Sequence, residues 1–175
     1  TFAQIQFTDS AAAGQASART QAKGQDLFAA VRNCDALLAV VRDFENPAVP
    51  VEGGVDAERD RKKLEGELVF NDLVIAEGRI EKIEKEMKIG KKQGEREHVL
   101  LTRCRRVLEA GGALRGESFD AEEEKLLRGF QLLSRKSLLL VYNQDERGCA
   151  TPPDPGPSAL AIALKAHLER EVVAL

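Results

Sequence analysis

Apolar and polar positions change period several times along the chain, and each change predicts a boundary. In "AQIQFTDS", Ile5 and Phe7 alternate with polar neighbours and run into Asp9, the pattern of a strand ending in a turn. "DLFAAVRNCDA" places Leu27, Val31 and Cys34 at helical spacing. "ALLAVVRDF", residues 36–44, is a continuous apolar run, which predicts a strand buried on both faces. "ENPAVPVEGGV" holds two prolines and two glycines and reads as turn material. The first 55 residues thus read as strand, loop, helix, strand.

From Asp56 the period changes. Val69, Leu73, Ala76, Ile80, Ile83 and Met87 recur at spacings of four and three, the seam of one helix packing along another. "KIGKKQGE" interrupts it, with Gly90 and Gly94 as helix stops, and a second helix resumes with Leu100, Cys104, Val107 and Leu108 apolar. An antiparallel helical hairpin follows, its tip carrying Lys88, Lys91, Lys92 and Arg96. In "FDAEEEKLLRGFQLLS", Asp120 with Glu123 three residues on forms a capping box, and Leu126, Phe130 and Leu133 mark one helical face. "KSLLLVYN", residues 136–143, is a second buried strand, and a proline-rich loop leads to an expected helix around Ser158 to Arg170. Strands alternating with helices predict a parallel α/β sheet with flanking helices. Its core would comprise residues 1–55 and 136–175, and residues 56–135 would be inserted between its strands.

Composition adds constraints. At 175 residues the chain suits one domain and needs no disulfide or metal to hold its core. No apolar run approaches the roughly 20 residues of a membrane span, and the start lacks a signal-peptide pattern, so a cytoplasmic protein without membrane contact is expected. Cys34, Cys104 and Cys149 are odd in number and widely spaced, the usage of buried thiols in a reducing compartment. The chain begins on Thr1 inside an apparent strand and ends on "EREVVAL", which reads as another strand starting, so a piece of something larger is expected.

A net charge of −3 argues against bulk attraction to nucleic acid, and no DNA partner is expected, but the charge is uneven. Between Arg79 and Arg106 stand ten Lys or Arg against five Glu. Lysines near a helix end are favoured by its dipole in any case; an RNA or protein contact is the alternative use for them.

Two further stretches bear on chemistry. Ligands of open parallel sheets bind beyond the carboxyl ends of strands, where "LLLVYNQDERG" places Asn143, Gln144, Asp145 and Glu146. GTPases carry Asn-Lys-x-Asp at this place, whereas Asn followed by acids is also ordinary turn composition. "GGALRGES", residues 111–118, imitates a phosphate loop. It follows a helix instead of a strand and has Glu117 where the lysine must stand, so it reads as a turn. His98 and His167 lack acidic or thiol partners at useful spacing, which predicts neither a metal nor a catalytic role for them.

Taken together, "KGQDLFAAVRNCDALLAVVRDFE", "VEGGVDAERDRKKLEGELVFNDL" and "FDAEEEKLLRGFQLLSRKSLLLVYNQDE" resemble, in order and spacing, the YchF-type Obg-like ATPases of the Obg-related translation-associated class. The resemblance implies a P-loop NTPase-like α/β fold with an inserted helical coiled-coil hairpin, lacking here the phosphate loop and the C-terminal domain. It implies that Asn143, Gln144 and Glu146 frame the base of ATP or GTP. It also implies that Asp9 holds Mg²⁺, directly or through water, and that the basic tip meets a ribosome or RNA. This chain departs from the family's Asp-x-x-Gly at Ala12, whose methyl group would crowd the last phosphate. Only Gly14 and Gly24 remain of the glycine-rich switch, so weak or absent Mg²⁺–nucleotide binding and no hydrolysis are expected of the chain as it stands. The competing expectation is a pseudo-NTPase scaffold whose hairpin binds a protein or RNA.

Overall fold

A computed structural model describes residues 6–8, 28–90, 94–145 and 160–165. The chain divides into two compact units, one of residues 1–35 and 64–136, the other of residues 36–63 and 137–175.

The second unit is a sheet of three parallel strands in the order β1 (Ala36–Asp43), β2 (Ser137–Gln144), β3 (Leu160–Lys165). Ala36 pairs with Ser137 and Asp43 with Gln144, so the carboxyl ends of β1 and β2 are level. β2 is covered on both sides, with Leu138, Leu140, Val141 and Tyr142 buried, as its unbroken apolar run predicts. Among the described residues β1 is covered on one side only. Ala39 and Val41 are buried while Leu38 and Val40 are 51% and 62% exposed, which corrects the expectation of two buried faces. After β1, Arg42 holds the turn by donating from Nε to the Phe44 carbonyl and from Nη1 to the Val49 carbonyl, both at 2.9 Å. Arg59 then ties down the carbonyls of Gly53 and Gly54 at 3.2 and 3.0 Å. Both glycines have positive φ, +82° and +75°, which the turn requires of them. The Asp56 carboxylate accepts from the Arg59 N–H at 2.9 Å and caps the following helix.

That helix, α1 (Ala57–Lys88), continues into the first unit, where α2 (Glu95–Glu109) and α3 (Ala121–Arg128) pack with it. Ala76, Ile80 and Ile83 of α1 meet Leu100, Leu101, Cys104 and Leu108 of α2 in one cluster that Leu114, Leu127 and Leu132 extend. Each such leucine or isoleucine, fully buried, contributes about 1.5–3 kcal/mol. Met87, the last seam position expected, is 39% exposed because the helix ends at the next residue. Arg79 grips the Glu97 carboxylate with Nε and Nη2 at 2.6 and 2.8 Å, binding α1 to α2. Gly94 opens α2 at φ +110°, where a Cβ would stand 3.3 Å from Ile83 Cγ2. The Asp120–Glu123 capping box forms as expected at the start of α3.

Several expectations fail. Residues 160–165 form β3 where a helix around Ser158 to Arg170 was expected. Alanine and leucine favour helix intrinsically, but an open edge of β2 offers a full ladder of backbone partners, and pairing overrides propensity. Of the strand expected to run through Ile5 and Phe7 into Asp9, only residues 6–8 are described; they are in no strand and Phe7 is 80% exposed. From Phe28 the expected helix is a single 3-10 turn, Ala29–Val31, because the chain must straighten into β1 five residues later. α3 ends at Arg128 and buries Leu127, not Leu126, so the expected Leu126–Phe130–Leu133 face is not continuous. The stretch 111–118 is a turn containing the 3-10 segment Leu114–Gly116 after α2, consistent with rejecting it as a phosphate loop.

Candidate functional site

The level carboxyl ends of β1 and β2 bring Arg42, Asp43, Asn143 and Gln144 together, with Arg42 opposite Asn143 and Asp43 opposite Gln144. Alternation along β2 turns Asn143 and Gln144 to opposite faces. Asn143 is half-buried, whereas Gln144 is 4% exposed. Gln144 donates from Nε2 to Asp43 Oδ2 at 2.6 Å. Its Oε1 is buried and meets no donor among the described residues. The Arg42 guanidinium lies over the Phe44 ring at 4.8 Å and, with its two carbonyl contacts, braces the turn after β1. Nothing in the local sequence around Asp43 announces a partner for Gln144; only the strand register does.

Glu146, Asp9 and Ala12, the remaining residues expected at a nucleotide site, lie outside the described residues, as do Lys91 and Lys92 of the basic tip. Lys88, at the end of α1, and Arg96, in the first turn of α2, are both exposed, and neither makes an ion pair among the described residues. No group of three or more His, Cys, Asp or Glu among the described residues could hold a metal ion.

His98, read from sequence as lacking an acidic partner, has one in space: its Nε2 lies 3.2 Å from Glu84 Oε1, across α1 and α2. The sequence also gives no hint of Asp72. Its carboxylate is fully buried and accepts the backbone N–H groups of Leu133 and Ser134 at 2.8 and 2.7 Å. Burial raises its pKa above the usual carboxylate value despite those bonds. Asp72 thus anchors the turn that leads into β2. Arg115, also largely buried, donates to the Lys136 carbonyl at 3.1 Å in the same turn.

Three parallel strands with polar residues gathered at their carboxyl ends, and long helices between the first two, are consistent with the P-loop NTPase class. Within that class the chain is similar, over most of its length, to the YchF-type Obg-like ATPases. It is 30% identical to the ribosome-binding ATPase YchF of Haemophilus ducreyi across 81% of this chain and 39% of that protein. The Bacillus subtilis protein of the same name is 28% identical across 98% of this chain and 50% of its own length. Obg-like ATPase 1 of Caenorhabditis elegans is 29% identical across 82% of this chain and 37% of its own. Among solved structures, the Schizosaccharomyces pombe YchF GTPase superposes with a TM-score of 0.59 at 26% identity, covering 69% of this chain and 34% of that one. The chain therefore spans between about a third and a half of the length of the relatives it matches. No protein-family model matches it. None of the described helices is long and apolar enough to cross a membrane.

Proposed function

We infer that the chain is the nucleotide-binding part of a YchF-like, Obg-related NTPase, taking ATP or GTP at the carboxyl end of its parallel sheet. The observation that carries this reading is the placement of Asn143 and Gln144 at the end of the central strand β2, level with the end of β1. Ligands of open parallel sheets collect there. Asn143 carries an amide able to both donate and accept, which suits a purine edge, and the family resemblance assigns Glu146, which lies outside the described residues, to the same base. The described residues offer no metal-binding cluster. As the family resemblance implies, Mg²⁺ would be held by Asp9 together with the nucleotide's own phosphates, whose charge it offsets. Ala12 makes the phosphate end of the site the weaker one, so binding without efficient hydrolysis is the expected behaviour.

Residues 56–135 act as a hairpin inserted into this nucleotide-binding core, with Lys88, Lys91, Lys92 and Arg96 at its tip directed to a ribosome or RNA. Relatives named as ribosome-binding ATPases support that use, and phosphate contacts there would make association strongly salt-dependent.

The test is a titration of the longer parent protein, phosphate loop included, with fluorescent ATP and GTP analogues in the presence of Mg²⁺. Micromolar binding that Asn143→Ala and Glu146→Ala each weaken at least about tenfold, a loss of ~1.4 kcal/mol, is the expected result. No binding up to millimolar nucleotide would refute it and leave the hairpin of a pseudo-NTPase scaffold as the functional element.

A further inference from the structure

Helices α2 and α3 each carry an acid one turn ahead of an exposed apolar residue, Glu95 before Val99 and Glu122 before Leu126. Residues four apart share a helix face, and both pairs line one groove of about 950 Å³, together with the buried Leu100. Val99 is 66% exposed and Leu126 38%. The helix dipole favours acids in a first turn, which accounts for Glu95 and Glu122 where they stand. It does not account for the apolar residues beside them. Surface apolar residues scattered singly are ordinary, but these two line the same groove.

The walls are fixed in advance. Arg103 of α2 donates to the Glu123 carboxylate of α3 at 2.9 and 3.3 Å and lies over the Phe119 ring, and the Asp120–Glu123 capping box holds the start of α3. Of the five carboxylates lining the groove, three are thus engaged: Glu97 by Arg79, Glu123 by Arg103, and Asp120 by its cap. Glu95 and Glu122 remain, and neither makes an ion pair among the described residues. Arg96 is the one cation along this lining.

We propose that the groove between α2 and α3 docks a basic amphipathic helix of a protein partner. Apolar residues of that helix at i, i+3 or i+4 and i+7 seat on Val99, Leu100 and Leu126, and flanking lysines or arginines reach Glu95 and Glu122. The sign of the free charge selects this occupant. RNA, a nucleotide or an acidic peptide would bring anions against two unpaired carboxylates, and a wholly apolar segment would leave them without a counter-charge. Because the walls are braced before anything binds, little ordering of the groove opposes association. The inference stands apart from the nucleotide reading and from the basic tip, which attracts the opposite charge.

The probe is a fluorescent helical peptide of leucine, lysine and alanine with leucines at that spacing, titrated with the longer parent protein and followed by anisotropy. Saturable micromolar binding is expected, and a peptide with glutamate in place of lysine should bind at least about tenfold more weakly. Val99→Ser, at an exposed position that folding does not depend on, should weaken the lysine peptide by on the order of tenfold. Glu95→Gln with Glu122→Gln should weaken it roughly three- to tenfold, as the loss of two exposed ion pairs does, and less at high salt. Glu81→Gln with Glu109→Gln removes the same charge elsewhere on the helices and should leave the affinity unchanged. An equal loss in that control pair would reduce the binding to general attraction and overturn the inference. So would an unaffected Val99→Ser, displacement of the peptide by a single-stranded RNA oligonucleotide, or no saturable binding up to millimolar peptide.

Discussion

Replacing Asp72 by alanine should loosen the turn that delivers the chain into β2. In the wild type its buried carboxylate accepts the N–H groups of Leu133 and Ser134 at 2.8 and 2.7 Å, and both of those residues are themselves fully buried. Alanine would leave two buried backbone donors unsatisfied, at about 1–3 kcal/mol each. Removing a carboxylate whose burial is unfavourable returns part of that cost, so a net loss of about 3 kcal/mol is expected, on the order of a hundredfold in the unfolding equilibrium. Asp72→Asn should lose less, since one acceptor survives and only one N–H faces the new NH₂. The pH dependence has a definite sign. Burial raises the folded pKa of Asp72 above its ordinary 3.8. An acid raised on folding contributes stability that is complete below the unfolded value and is lost as pH rises through the folded value. The gap between wild type and Asp72→Ala should therefore be wider near about pH 4 than near about pH 7. Urea unfolding followed by circular dichroism reads the loss, and amide exchange at Leu133 and Ser134 reads its location. A loss under ~1 kcal/mol, with both amides still protected, would show that other groups satisfy them and refute the reasoning.

Two other outcomes follow from geometry already described. Gly94→Ala must adopt φ +110° and bring its Cβ within 3.3 Å of Ile83 Cγ2, whereas Gly90→Ala at φ +87° meets open space. Both should lower the melting temperature, Gly94→Ala by the larger step and by roughly 1–3 kcal/mol; equal shifts would show that Ile83 yields freely. Burial pushes the Cys104 thiol up to about 11, and the residue is 1% exposed. Site-resolved maleimide labelling of the native protein should therefore modify the half-exposed Cys34 well before Cys104, and equal rates would contradict the packed α1–α2 seam.

Legibility in the sequence tracked the range of the interaction concerned. The 69–83 seam, the glycine stop at Gly90, the Asp120–Glu123 capping box and the apolar runs of β1 and β2 all came through with boundaries within a residue or two, whereas Gly94 begins the second helix instead of ending one. Asn143 and Gln144 were legible as candidates because the end of an apolar strand is itself a local signal. Their partner was not: Asp43 lies 101 residues before Gln144, and only the strand register joins them. Asp72 reaches the Leu133–Ser134 turn from 61 and 62 residues away, and Glu84 reaches His98 across two helices.

Residues 160–165 show the same division from the other side. "LAIALK" carries the propensity of a helix, yet it forms a strand because β2 presents an unpaired ladder beside it. Periodicity, caps and turns belong to a short stretch of chain and are written in it. Pairing partners, buried polar contacts and the choice between helix and strand for an apolar run depend on what stands alongside, and that is set only when distant segments meet.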